Sequence, residues 1–268
     1  MGNPAPHKAR KRFGQHFLHD QSIIYRLIQA IHPVAGESLV EIGPGQGALT
    51  FPLLKKCQEL TAIELDRDLI PLLQQKSQDI GTLHLVNADV LNIELNELTL
   101  NPPLRLVGNL PYNISTPLMF HLLKHSELIQ DMHFMLQKEV AQRIIARANQ
   151  KNTNSKHYGR LSVMMQYYCK SDYLFDVPPA SFSPPPKVDS AIIRLVPHTS
   201  PPVHVEDVSV LSSVVSTAFN QRRKTISNSL KKVIESAKIE QLGLDPKARA
   251  ENLELADFAL ISNHIQQE

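Results

Sequence analysis

The chain has 268 residues, 42% of them hydrophobic and 20% charged, with a formal net charge of +2. That length suits one large or two unequal domains around a sizeable core, and the composition is that of an ordinary globular protein. Cys57 and Cys169 lie far apart and in no Cys-x-x-Cys spacing, which argues against a disulfide scaffold or structural zinc and fits a reducing compartment. The basic N-terminus is not followed by an apolar stretch of the secretory kind, and no run of about 18 apolar residues occurs. The expectation is a cytoplasmic protein with no membrane span.

In chain order, Ile23, Ile24, Leu27, Ile28 and Ile31 recur at helical spacing and predict a helix over 21–32, stopped by Pro33. Strand-like runs follow at 38–42, 60–64, 82–86, 104–107 and 132–136, with helix-like segments between them at 48–56, 68–75, 115–125 and 139–149. This alternation predicts a mostly parallel, Rossmann-like α/β sheet covered on both faces. After another helix over 158–170, two late strands at 173–177 and 190–196 flank a proline-rich stretch and complete seven, the last one antiparallel. Beyond Ser200-Pro201-Pro202, a plausible linker, the segments 208–219, 226–234 and 256–265 read as helices and strand signals vanish. Two domains are therefore expected: an α/β domain over 1–199 and a small all-helical one over 200–268.

Gly43-x-Gly45-x-Gly47 sits between the first predicted strand and a helix, where glycines let the backbone approach a ligand at the carboxyl edge of the sheet. Glu64, ending the next strand, can accept from ribose hydroxyls, and Asp89, after the third, can accept from the amino group of an adenine. Alone, these features suit a nicotinamide dinucleotide as well as S-adenosylmethionine, since Gly43-x-Gly45-x-x-Ala48 fits the loosened dinucleotide fingerprint. Pro44, the late hairpin, and the motif that follows favour S-adenosylmethionine.

That motif is Asn109-Leu110-Pro111-Tyr112, at the end of the strand over 104–107. The exocyclic amine of adenine is a poor nucleophile because its lone pair is delocalised into the ring. Acceptors for both of its N–H bonds turn that lone pair toward an electrophile. The Asn109 side-chain carbonyl and the Leu110 backbone carbonyl are the candidates, Pro111 stiffens the turn, and Tyr112 offers a face for the base. The bland reading is a strand ending in an Asn/Pro turn. Phe182 is a candidate for the other face of the base, or else merely anchors the proline-rich loop.

Five collinear stretches resemble the KsgA family of small-subunit ribosomal RNA adenine N6,N6-dimethyltransferases, across nearly the whole chain. They cover residues 10–18, 41–50, 63–66, 108–117 and 182–191. The resemblance implies a class I methyltransferase fold that uses S-adenosylmethionine. It would convert two adjacent adenosines, in a hairpin loop near the 3′ end of the RNA, to N6,N6-dimethyladenosine. It also implies that residues 13–18 lid the cofactor, with His16 and Leu18 touching it, and that Gly43 approaches its methionine part, with Gly45 a further cofactor-binding position of the loop. Glu64 would take the ribose, Asp89 the adenine, and Asn109 the methyl-transfer centre. His16 stands where the family carries Asn or His.

Two basic clusters, Arg10-Lys11-Arg12 in an N-terminal arm and Arg222-Arg223-Lys224, are candidate phosphate contacts, although such clusters are often plain solvated surface. The implied partners are small-subunit rRNA and the immature small ribosomal subunit, bound by a monomer. His121 and His125, four residues apart on a predicted helix, lack a visible third ligand and read as a surface pair, so no metal is expected. Competing readings are an adenine methyltransferase acting on large-subunit rRNA or DNA, a nicotinamide-dependent oxidoreductase, and a ribosome-assembly factor in which methylation is secondary.

Overall fold

The computed structural model describes residues 15–148 and 155–266. Among them, no helix is long and apolar enough to cross a membrane. The chain divides into two compact units, 1–141 with 172–197, and 142–171 with 198–268. The second unit is thus more than the C-terminal tail expected from residue 200 onward. It also takes in the segment between two strands of the sheet, because the helix Arg160–Tyr168 is buried on nearly every side and packs on helices of the tail.

The first unit begins with β1 (Phe17–Leu18), α1 (Gln21–Ile31), β2 (Ser38–Ile42), α2 (Thr50–Cys57), β3 (Glu59–Glu64), α3 (Ile70–Ser77) and β4 (Thr82–Asn87). It continues through β5 (Leu104–Asn109), α4 (Ser115–Leu123), β6 (Ile129–Gln137) and the first turn of α5 (Lys138–Ile145), whose later residues belong to the second unit. After α6 (Arg160–Tyr168) come β7 (Cys169–Val177), β8 (Phe182–Ser183) and β9 (Ser190–Pro197). The sheet order is β4-β3-β2-β5-β6-β9-β7. Strands β2 to β6 pair in parallel, and β9 inserts antiparallel beside β6. This is the expected seven-stranded, mostly parallel sheet. Its central strands are buried on both faces, whereas edge strand β4 is exposed at Thr82, His84 and Asn87 and nowhere fully buried.

Helix α1 starts where the Asp20 carboxylate accepts from the Ser22 and Ile23 amides, and it ends with His32 in the left-handed region. Its five isoleucine and leucine residues enter a core shared with Leu39, Leu53, Leu54, Val107 and Phe182. The far end of the sheet carries a buried ionic clamp. Arg105 on β5 meets both carboxylate oxygens of its β6 neighbour Asp131, at 3.0 and 3.1 Å, and Glu37 at 2.8 Å. Its remaining donors reach the Ile31 and His32 carbonyls that close α1. Burial opposes the guanidinium charge, but the hydrogen bonds it donates to Asp131 and Glu37 outweigh it and hold its pKa above the ordinary value.

In the second unit, α7 (Val208–Phe219) packs on α6 and on α10 (Leu255–Gln266), with α8 (Ile226–Ser229) and α9 (Ser236–Gln241) between. The helix expected over 226–234 stops after one turn, as a Ser-Asn-Ser run of weak helix formers allows. Tyr158 is the anchor. Its ring meets Phe219 edge-on, and its hydroxyl donates to the Leu253 carbonyl at 2.9 Å. Cys57 and Cys169 are free and buried, as packed thiols.

Replacing Arg105 with alanine leaves buried Asp131 with only the 3.4 Å bond from Arg194 and strips a donor from the buried Ile31 carbonyl. Chemical unfolding of Arg105→Ala should show a loss of about 3–5 kcal/mol; a loss within experimental error would mean the clamp contributes nothing.

Candidate active site

The carboxyl ends of β2, β3, β4 and β5 and the segment before β1 enclose a cavity of about 370 Å³. The chain leaves β2 through Gly43, Gly45 and Gly47, all at positive φ. A Cβ on Gly45 would press on the Phe17 ring at 3.2 Å, so glycine also admits the segment that closes the cavity. At the end of β3, the Glu64 carboxylate accepts from the Gly45 amide at 3.0 Å and from the Asp66 amide at 2.7 Å. Burial raises its pKa, and these amides oppose the rise. A carboxylate has about four acceptor positions, so acceptor capacity stays open to a ligand. Asn87, ending β4, braces the same turn by donating to the Glu64 carbonyl at 2.7 Å. One oxygen of Asp89 caps the 3-10 turn Val90–Asn92 through the Leu91 amide, and Asp89 remains in the cavity wall.

Asn109 ends β5. A Cβ on the preceding Gly108 would lie 2.5 Å from the Ile42 carbonyl, so only glycine lets β5 come this close to β2. The Asn109 amide nitrogen donates to the His16 carbonyl at 3.0 Å. A carbonyl can only accept, so the amide must face it with nitrogen, and its oxygen is left as a free acceptor. The Pro111 and Tyr112 carbonyls already accept, from Ile114 and from the Ser115 hydroxyl. Among these three turn carbonyls, that of Leu110 is the one left open. The Leu110 side chain is buried and its amide donates to Met135 on β6, so its contribution to the cavity is backbone.

The segment 15–18 closes the cavity. Strand β1 pairs antiparallel with β8, Leu18 opposite Phe182. Gln15 donates to Asp66 at 3.1 Å, and His16 Nδ1 lies 2.7 Å from the Pro184 carbonyl. The His16 ring stacks on Tyr112 with centroids 5.7 Å apart, and the Tyr112 hydroxyl meets the Ser190 hydroxyl at 2.7 Å. Phe182, weighed as a second face for the base, is only 2% exposed and lies in the core with Leu18 and Ile23. Strand alternation points Phe182 inward and Ser183 outward, which leaves Phe182 the anchoring role.

Three contributors were not singled out from sequence. Leu65 gives the wall an exposed apolar surface beside Glu64. Ser190 steadies Tyr112. Glu41, at the end of β2, lines the cavity at 1% exposure, with one carboxylate oxygen lacking any hydrogen bond. Burial pushes its pKa up to about 8; the nearby Thr50 hydroxyl pulls the other way and the Glu64 charge adds to the rise. Its place at a strand end before the first glycine was the available signal. A wall with three carboxylates and an open glycine loop fits a ligand bearing an ammonium, a sulfonium, ribose hydroxyls and an amino-purine.

The sequence matches the family described as ribosomal RNA adenine dimethylase over residues 6–267. The chain belongs to that family. Ribosomal RNA small subunit methyltransferase A of Pseudomonas putida is 52% identical, over 99% of this chain and 98% of its own length. The Xanthomonas oryzae protein of the same description is 53% identical over 95% of each. Among solved structures, a dimethyladenosine transferase from Plasmodium falciparum superposes with a TM-score of 0.78 at 25% identity, covering 92% of this chain and 96% of that one. The 23S rRNA methyltransferase ErmE gives 0.71 at 25% identity, covering 94% and 100%. Dimethylases of this family use S-adenosylmethionine, and the carboxylate wall is consistent with that cofactor.

Of this dimethylase's basic clusters, Arg10, Lys11 and Arg12 lie outside the described residues. Arg222 bonds inside the second unit, to the Lys156 carbonyl at 2.8 Å, the Tyr158 carbonyl at 3.1 Å and Glu251 at 3.4 Å. Arg223 and Lys224 are exposed. His121 is buried rather than on a helix surface, and the fold brings Glu94 to His121 and His125.

Glu41 also predicts a pH dependence. Its folded pKa of about 8 lies above the ordinary 4.5, so its contribution to stability is complete below pH 4.5 and is lost as pH rises toward 8. Without cofactor, the melting temperature of Glu41→Gln relative to the native chain should climb across that window. A difference that stays constant with pH would show that Glu41 ionises normally.

Proposed function

We propose that this chain transfers methyl groups from S-adenosylmethionine to N6 of two adjacent adenosines in the 3′-terminal hairpin loop of small-subunit rRNA, giving N6,N6-dimethyladenosine. The observation that carries the reading is the pair of open acceptors, the Asn109 side-chain oxygen and the Leu110 carbonyl, at the edge of the cavity. Family membership and relatives at about half identity support the reaction and the substrate class.

When bound, the cofactor supplies an electrophilic methyl on a sulfonium. Glu64 would accept from its ribose, Asp89 from its adenine amino group, and Glu41 would take its ammonium, which would relieve the unpaired oxygen. Gly43 and Gly45 let the backbone approach, Leu65 and Leu18 give apolar faces, and His16 closes the site through its backbone. The target adenine leaves its stack, more cheaply in a loop than in a duplex, and lies on the Tyr112 face opposite His16. Asn109 and Leu110 accept its two N–H bonds and hold the lone pair toward the methyl. The amine nitrogen would become acidic only once methylated and could then lose its proton to water, so the chain needs no strong base. Positioning and oriented acceptors supply the rate. In the second round, one N–H remains to be held.

Arg223 and Lys224 are the described residues we assign to phosphate contact, with the Arg10–Arg12 arm beyond the described region. The partners are small-subunit rRNA and the immature subunit, met in the cytoplasm by a monomer, with a role in subunit biogenesis beside the methylation.

Labelled S-adenosylmethionine and unmethylated small subunits should yield dimethyladenosine at two neighbouring positions after nuclease digestion and mass analysis. Transfer only to large-subunit RNA would replace the substrate assignment. Asn109→Ala should lower kcat by on the order of 10² to 10³-fold, and cofactor affinity should fall as well because the bond that seats the His16 segment goes with it; near-normal turnover would remove the acceptor role. The double change Arg223→Ala with Lys224→Ala should weaken RNA binding and flatten its salt dependence by about one unit of slope per charge. An unchanged slope would leave both as solvated surface.

A further inference from the structure

Away from the cavity, Glu94, His121 and His125 each bring one ring nitrogen or carboxylate oxygen within 4.8 Å of the other two. None of the three lines the cofactor cavity. His125 Nε2 is buried and lies 2.8 Å from a Glu94 oxygen, yet the contact lacks hydrogen-bond geometry and the nitrogen has no hydrogen-bond partner. Two electron-pair donors this close, off the axis of a proton bridge, are arranged as neighbouring ligands of one cation are. His121 Nε2 lies 2.7 Å from the Ile93 carbonyl. That carbonyl can only accept, so in the neutral ring Nε2 carries the proton and Nδ1 keeps the lone pair. A backbone carbonyl anchoring one ring nitrogen is a common support for a ligating histidine.

We propose that Glu94, His121 and His125 form a binding site for a zinc-class divalent cation. Two imidazoles and a carboxylate are a borderline nitrogen–oxygen donor set suited to Zn²⁺, with a fourth position open to water. Bonds of about 2.0–2.1 Å put tetrahedral ligand atoms roughly 3.3 Å apart, so side-chain shifts of about an ångström complete the site. The Glu94 side chain is 52% exposed and that of His125 12%, which gives the ion an entry from solvent on the Glu94 side. The ion would stiffen the scaffold. It would pin the segment after Asp89, through Glu94, to α4, which follows Tyr112, so both elements leading from the cavity wall would be held together. The single negative charge of Glu94 offsets part of the cation's charge.

The test uses the full chain stripped with a chelator and titrated with Zn²⁺ against a chromophoric zinc indicator, with melting temperature recorded alongside. One saturable equivalent and a raised melting temperature are expected. His125→Gln and Glu94→Gln should each weaken binding by on the order of tenfold or more and abolish the thermal shift, while their metal-free melting and methyl transfer match the native chain. NMR of the native chain gives a readout that needs no variant: one equivalent of Zn²⁺ should move the imidazole signals of two histidines. Absence of a saturable equivalent, native-like binding in both variants, or movement of other histidines would overturn the site and leave an ion pair beside a packed histidine.

Discussion

The hydrogen bond from the Asn109 amide to the His16 carbonyl is the contact on which the rest of the site depends. It joins the end of a central strand to a segment 93 residues earlier and sets which way the amide points. With nitrogen committed to His16, oxygen is presented as an acceptor, the polarity needed to hold an amine donor. The same bond seats the lid. His16 in turn leans on Tyr112 and on the Pro184 carbonyl, and β1 is zipped to β8. Lid, stacking face and acceptor are therefore one structure, and distortion of any part reaches the other two.

The opposite wall works through charge. Glu41 and Glu64 are buried, each raises the cost of ionising the other, and Glu41 keeps an unpaired oxygen. Such an arrangement costs stability in the empty protein and becomes favourable when a cationic ligand arrives. Glu64 is steadied by two backbone amides, which lets the glycine loop and the acidic turn act as a preformed cradle. At the other end of the sheet, Arg105 ties α1, β5 and β6 together, so the carboxyl edge is built on a fixed base.

The sheet was legible because its signals are local. Buried parallel strands read as apolar runs, and the glycine loop, Glu64, Asp89 and Asn109 each sit at a strand end. The place of the Asn109 turn at the end of β5 was legible for the same reason. What depended on distant pairing was not. Nothing near Phe182 says that β8 will face β1 and turn its ring into the core, leaving His16 against Tyr112. Arg222 reads as one of three equivalent cations, yet only the fold shows the Lys156 and Tyr158 carbonyls waiting for it. Glu94 lies 27 residues before His121, so the third group beside the histidines was invisible to spacing. The segment 142–171 reads as part of the first domain because strands flank it, while its buried faces belong with the later helices.

The central claim is that the Asn109 oxygen and the Leu110 carbonyl hold the target amine. Neutron diffraction from the chain with S-adenosylhomocysteine and an adenosine-containing oligonucleotide would show the deuterons directly. The N6 deuterons should point at both oxygens, with an Asn109 amide deuteron still on the His16 carbonyl. An amide rotated to point its nitrogen at N6, or an amine bonded only to water, would contradict the claim.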